Sequence, residues 1–72
     1  MTPIQLGQII RTVRRQQGLR QDQLAAAANA GVRFIVDLEA GKVTAQIGKT
    51  IDVLSALGLH IVIQDSSGKP VA

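Results

Sequence analysis

The chain contains no cysteine, tryptophan or tyrosine, and only one phenylalanine, one histidine and two prolines. Without cysteine there is neither a disulfide nor a thiolate metal site, and the lone His60 cannot assemble a zinc site by itself. No apolar run approaches ~18 residues, so no membrane span is expected. Gly7, Gln8 and Arg11 interrupt the apolar N-terminus, which argues against a signal peptide and sets a cytoplasmic expectation. There is no histidine–carboxylate cluster and no phosphate-cradling glycine loop, so no enzyme, metal or cofactor is expected. No internal repeat or low-complexity segment is present.

What the chain does have is aliphatic residues. Hydrophobic side chains make up 46% of 72 residues, enough for one small domain. A monomer of this size is marginal, because core burial only just exceeds chain entropy, so the aliphatic excess points to oligomerisation. The net charge is +3, and most cations lie between Arg11 and Lys49. A modest basic excess fits a polyanion partner without proving one.

Periodicity predicts helices over about 3–17, 21–28, 32–40 and 46–57. Thr2 suits the first N-cap and Pro3 the first helical position, where no N–H is needed. The first buried stripe reads Leu6, Ile9, Ile10 and Val13, and Gly18 ends the helix. The second helix is nearly all alanine after Leu24, which allows close approach of a neighbour. Asn29-Ala30-Gly31 forms a turn into the third helix, whose inner face is Ile35 and Leu38 and which Gly41 ends. The last helix carries the stripe Ile47, Ile51, Leu54 and Leu57, with Val53 flanking and Gly58 as cap. Two short helices joined by a tight turn leave Val32, Arg33, Val36 and Asp37 on the exposed N-terminal edge of the second. Such a helix can enter the major groove of DNA.

After Gly58 the pattern changes to Leu59-His60-Ile61-Val62-Ile63-Gln64, which is β-branched and aliphatic and reads as a strand. No other segment reads as a strand, so its backbone groups need a partner. The simplest is the same strand of a second copy, antiparallel about a two-fold axis, with Leu59, His60, Ile61, Val62 and Ile63 at the interface. The alternative is a disordered or helix-packed tail. Residues 66–72 are polar and turn-rich and are expected to form a flexible tail after a domain spanning 1–65.

Gly18-Leu19-Arg20-Gln21-Asp22-Gln23-Leu24-Ala25 resembles the "GLTQEELA" stretch of Cro/repressor-type (Xre-type) helix-turn-helix proteins. Phe34-Ile35-Val36-Asp37-Leu38-Glu39-Ala40-Gly41-Lys42 resembles that family's "ISxLExGK", and Leu57-Gly58-Leu59 closes a segment similar to its next helix. The resemblance spans about 5–59. A strand in place of a further helix is similar to HipB-type antitoxins, small dimeric regulators that accompany a HipA-type serine/threonine kinase toxin. The implied fold is mainly α: a lambda-repressor-like bundle of about four helices, plus one C-terminal strand that pairs across a homodimer.

The resemblance places Gln21 where the family touches DNA, and pairs Arg14 with Glu39 as a partly buried ion pair that orients the recognition helix. It puts Phe34 at the start of that helix, where packing between helices is the plainer role. Arg20 departs from the family's Thr or Ser cap, at a cost of ~1 kcal/mol, but can reach a phosphate. Ala40 replaces a frequent polar residue, leaving Lys42, Thr44 and Lys49 as candidates for backbone contacts. Arg33 is the candidate for a guanine edge, where its two-pronged donor matches O6 and N7, or else for a phosphate. Val32 and Val36 either meet a thymine methyl or line the surface, and Gly31 begins this edge. Asp37 either accepts from cytosine N4 or pairs with Arg33. His60 is a surface or interface residue.

The expected partners are a palindromic double-stranded operator, a second copy of the chain, and a HipA-like kinase. The rival readings are a stand-alone phage-type or restriction–modification regulator, and a protein-interaction module without specific DNA binding.

Overall fold

The computed structural model describes residues 1–71; Ala72, the end of the expected tail, lies outside the described residues. Four helices form in order: α1 (Pro3–Gln16), α2 (Gln21–Ala27), α3 (Val32–Glu39) and α4 (Ile47–Ala56). Each ends about one residue inside the expected span. Thr2 caps α1 in both directions: its hydroxyl accepts from the Gln5 N–H at 3.1 Å, while Gln5 Oε1 accepts from the Thr2 N–H at 2.8 Å. Arg20 gives α2 no side-chain cap, but Gln23 Oε1 accepts from its N–H at 2.8 Å.

The core is built from Ile10 of α1, Leu24 and Ala25 of α2, Ile35 and Leu38 of α3, and Val53, Leu54 and Leu57 at the end of α4. Two expected stripes shift. On α1 the buried positions are Gly7, Ile10 and Arg14, whereas Ile9 is exposed. These positions follow the helical repeat as well as the aliphatic ones do, but they include a glycine and a cation that an apolar search passes over. On α4 the buried positions are Thr50, Val53, Leu54 and Leu57, while Ile47 and Ile51 are exposed. Thr50 can sit in the stripe because its hydroxyl donates to the Gln46 carbonyl at 2.8 Å. Ile47 lies on the first turn of α4, beside Met1 and Val43, with nothing packed over it.

Glycines decide how closely α1 meets α3. A Cβ on Gly7 would lie 2.5 Å from the Leu38 carbonyl oxygen and 2.6 Å from that of Glu39. Gly41, at φ +85°, lets the chain leave α3 against the backbone of Ile4, 2.8 Å from where its own Cβ would stand. In the turn between α2 and α3, Asn29 takes the positive φ (53°), while Gly31 is extended and serves as the N-cap of α3.

The expected strand over Leu59–Gln64 is not present as a ladder. Among the described residues there is one isolated antiparallel bridge, Gln64 with Pro70. The Val71 N–H donates to the Ile63 carbonyl and the Asp65 N–H to the Lys69 carbonyl, both at 2.8 Å. Pro70 has no N–H to extend the pairing. The turn between them is held by Asp65, whose carboxylate accepts from the Ser67 and Lys69 N–H groups and the Ser67 hydroxyl. Those bonds, with the Ser67 hydroxyl first, hold the Asp65 carboxyl below its usual range.

Candidate nucleic-acid interface

The helix-turn-helix unit is α2 and α3, packed on each other and braced from behind by α1. The brace is an ion pair. Arg14 Nε lies 2.6 Å from Glu39 Oε2 and Nη2 lies 2.9 Å from Oε1, a two-pronged geometry. The remaining Arg14 nitrogen, Nη1, donates to the Leu19 carbonyl at 2.8 Å, and Gln21 Nε2 donates to Glu39 at 3.3 Å. The side chains are 11% and 4% exposed, so both charges are largely removed from water. The bond to Glu39 raises the Arg14 pKa above its ordinary value, against the opposing effect of burial. One cluster thus ties together α1, the α1–α2 link, the start of α2 and the end of α3.

This brace fixes what α3 presents. Ile35 and Leu38 turn inward, leaving Val32 and Arg33 exposed and Val36 and Asp37 half-buried on the outer side. Arg33 Nε lies 3.2 Å from Asp37 Oδ1, and Lys42 Nζ lies 3.4 Å from Asp37 Oδ2. Asp37 thus pairs with Arg33, as one of its two readings has it, and with Lys42 as well. Gln21, Val36 and Ala40 line a shallow groove with Arg11, Arg14 and Glu39. Arg11 is a cation that sequence reasoning passed over. Its signal was available: it lies three residues before Arg14, one helical turn along the same side of α1.

The other candidates are placed differently. Arg20 pairs with Asp22 at 3.0 Å on the surface, which holds the Asp22 carboxyl below its usual range. Gly31 is open to solvent, with nothing within 4 Å of a Cβ built on it. Thr44 is exposed in the α3–α4 link. Lys49 leans over the Phe34 ring, 5.9 Å from its centroid, so Phe34 packs between the core and α4. The brace, the Arg33–Asp37–Lys42 cluster and the groove all meet at α3. His60, Ile61, Val62 and Ile63 lie apart, beyond α4, and are exposed, while Leu59 packs on the core.

No protein-family model matches the chain. It is 60% identical over 62 residues to an uncharacterized HTH-type transcriptional regulator, y4mF, of Sinorhizobium fredii, covering 86% of this chain and 82% of that protein. Among solved structures, a chain of a HipA-HipB-O2-O3 complex matches with a TM-score of 0.84 at 24% identity, over 92% of this chain and 93% of that one. A HipB-O4 20mer complex matches with a TM-score of 0.83 at 24% identity, over 92% and 93%. A HipB-O1-O2 complex matches with a TM-score of 0.82 at 25% identity, over 90% and 94%. The fold is therefore that of the Xre-like helix-turn-helix proteins and resembles HipB.

Proposed function

This chain belongs to the HTH-type transcriptional regulators, and from that premise we propose that it is a homodimeric repressor that occludes a palindromic operator. The observation that carries this reading is the Arg14–Glu39 brace, which holds α3 with Val32 and Arg33 facing outward. Arg33 reads a base edge, Val32 and Val36 border it, and Gly31 lets the chain approach closely. Arg20, Gln21, Lys42, Thr44 and Lys49 contact the sugar–phosphate backbone and fix register.

Two copies join through residues 59–63. In support, Ile61, Val62 and Ile63 are each more than half exposed, and the backbone from His60 to Val62 forms no ladder within the described chain. Half-sites would then lie one helical turn apart, about 34–36 Å. Residues 1–65 form the DNA-binding and dimerisation domain, with 66–72 as a tail. The likeness to HipB extends the proposal to an antitoxin that represses its own operon and sequesters a HipA-like serine/threonine kinase.

Fluorescence anisotropy on DNA from upstream of the gene tests the repressor reading, at about 50 and 200 mM salt. Binding should weaken by orders of magnitude between the two, because contacted phosphates release counterions. Arg33→Ala should lose about tenfold or more in preference for that DNA over a scrambled duplex. Weak binding to any duplex, unchanged by Arg33→Ala, would overturn the reading in favour of a protein-interaction module.

A further inference from the structure

A base-reading arginine needs a way to hold its guanidinium in register before the base arrives. On α3, Arg33 stands at the second helical position and Asp37 one turn later. The Asp37 carboxylate divides its oxygens: Oδ1 faces Arg33 Nε at 3.2 Å, and Oδ2 accepts from Lys42 Nζ at 3.4 Å. The three differ in depth. The Asp37 side chain is 23% exposed, Lys42 56% and Arg33 85%, so the carboxylate sits inside and the cations outside it. The nearest approach of the pair is at Nε, and Arg33 makes no side-chain hydrogen bond among the described residues, so its Nη1–Nη2 end stays open to solvent. That end is the two-pronged edge that matches guanine O6 and N7.

We propose that Asp37 is a positioning residue for sequence readout: it holds Arg33 by Nε so that the free Nη edge meets a guanine, and it opposes binding where no guanine is present. The inference rests on the repressor reading above. Two physical effects act together. A long, exposed arginine loses much rotamer freedom on docking, and a partner one turn away on the same helix reduces that loss. Asp37 also brings a negative charge to a surface that approaches phosphate. At the right base the guanidinium's two new bonds outweigh the repulsion. At a wrong base the repulsion stands uncompensated, so the carboxylate selects against non-operator DNA. Lys42 shares the same carboxylate through its second oxygen, adding a further cation to this edge of α3.

The test uses the full chain. Duplexes with a randomised centre are selected by rounds of binding and amplification, with the unaltered protein and with Asp37→Asn. Affinities for the selected duplex and a scrambled one are then measured by anisotropy, also in Arg33→Ala and the double variant. Circular dichroism confirms that each variant is folded. Asp37→Asn should bind scrambled DNA more tightly and lower the selected-to-scrambled ratio about tenfold. The log–log salt slope should steepen by about one, as a cation is released to the phosphates. In the Arg33→Ala background, Asp37→Asn should leave the ratio nearly unchanged.

An equal rise in both affinities, with the ratio kept, would mean general repulsion only and would overturn the proposal. A loss that persists undiminished without Arg33 would mean that Asp37 reads a base itself, and would overturn it as well. If selection with the unaltered protein returns no motif, the repressor reading itself fails. That is a different result from a motif that Asp37→Asn leaves intact.

Discussion

The helical body, residues 3–58, and the segment after it, residues 59–71, draw on the same aliphatic vocabulary but use it differently. In the body, Ile10, Leu24, Ile35 and Val53 are fully buried, and even a cation and a threonine are drawn in with their hydrogen bonds satisfied. In the segment, Ile61, Val62, Ile63 and Val71 stay more than half exposed, and one bridge is the only sheet pairing. The difference lies in available partners rather than composition. Each helix of the body finds an apolar face on another helix, whereas the segment beyond Leu59, which packs on the core, pairs with its own short return through Lys69–Val71. The body therefore carries the fold, and the segment presents an apolar surface whose burial requires something outside the described chain.

The comparison breaks most readily inside the body, at the brace. Glu39→Gln leaves Arg14 charged and largely buried without its partner, which should cost about 3–5 kcal/mol. The melting temperature should fall by roughly 15–25 °C for a domain this size. Thermal unfolding followed by circular dichroism measures this. Converting both partners to apolar residues, Arg14→Met with Glu39→Leu, should recover most of the loss, because neither charge is then stranded. If Glu39→Gln melts within a few degrees of the parent, the pair is solvated in practice and does not organise α3.

The second break is steric and somewhat smaller. Gly7→Ala puts a methyl group against the Leu38 and Glu39 carbonyls, at distances that real Cβ atoms do not sustain. Helix α1 must shift away from α3, at a cost of about 1–3 kcal/mol. The shift also moves Arg14 relative to Glu39, so DNA affinity should fall further than stability alone accounts for. Denaturant unfolding together with operator binding separates the two effects. Gly48→Ala is the matched control, because a Cβ there meets nothing and the position is not among the DNA contacts.

These two sites mark where the sequence was readable. The helix-turn-helix pair was legible because Leu24, Ile35 and Leu38 keep helical spacing and Asn29-Ala30-Gly31 interrupts it. Arg14 and Glu39 were found through the resemblance, since a separation of 25 residues has no local signal. Gly7 was not legible: a glycine inside a helix reads as weakness until the neighbouring backbone is seen 2.5 Å from its missing Cβ. Thr50 was passed over because its polarity hides a hydroxyl already spent on Gln46. Counting only aliphatics then drew Ile47 and Ile51 into a core they do not enter. At the candidate interface, residue types and one-turn spacing suggested Arg33 with Asp37, while Lys42, beyond the end of α3, was not foreseen as a second partner. The strand expected over 59–64 rested on β-branched, aliphatic composition, and no ladder forms there among the described residues. A ladder is a property of two edges, and the only second edge among the described residues is the short return at Lys69–Val71, which reaches no further than Ile63.

The smallest expected effect on the body comes from the segment, and it sharpens the comparison most. Ile61→Pro removes one exposed side chain and one N–H from a stretch outside the core, so unfolding of the helical body at low protein concentration should shift by no more than about 0.5 kcal/mol. Association should respond differently. A proline in the middle of a strand deletes a ladder hydrogen bond and is not accommodated in a paired centre. If residues 59–63 join two copies, sedimentation equilibrium should show the dimer mass falling toward that of one chain. Operator affinity should fall with it, because each half-site is then bound singly. A helical body that melts as before while the dimer is lost would assign stability to residues 3–58 and assembly to residues 59–63. A dimer that survives Ile61→Pro would place the contact between copies elsewhere, and the exposed Ile47–Ile51 edge of α4 would be the next surface to alter.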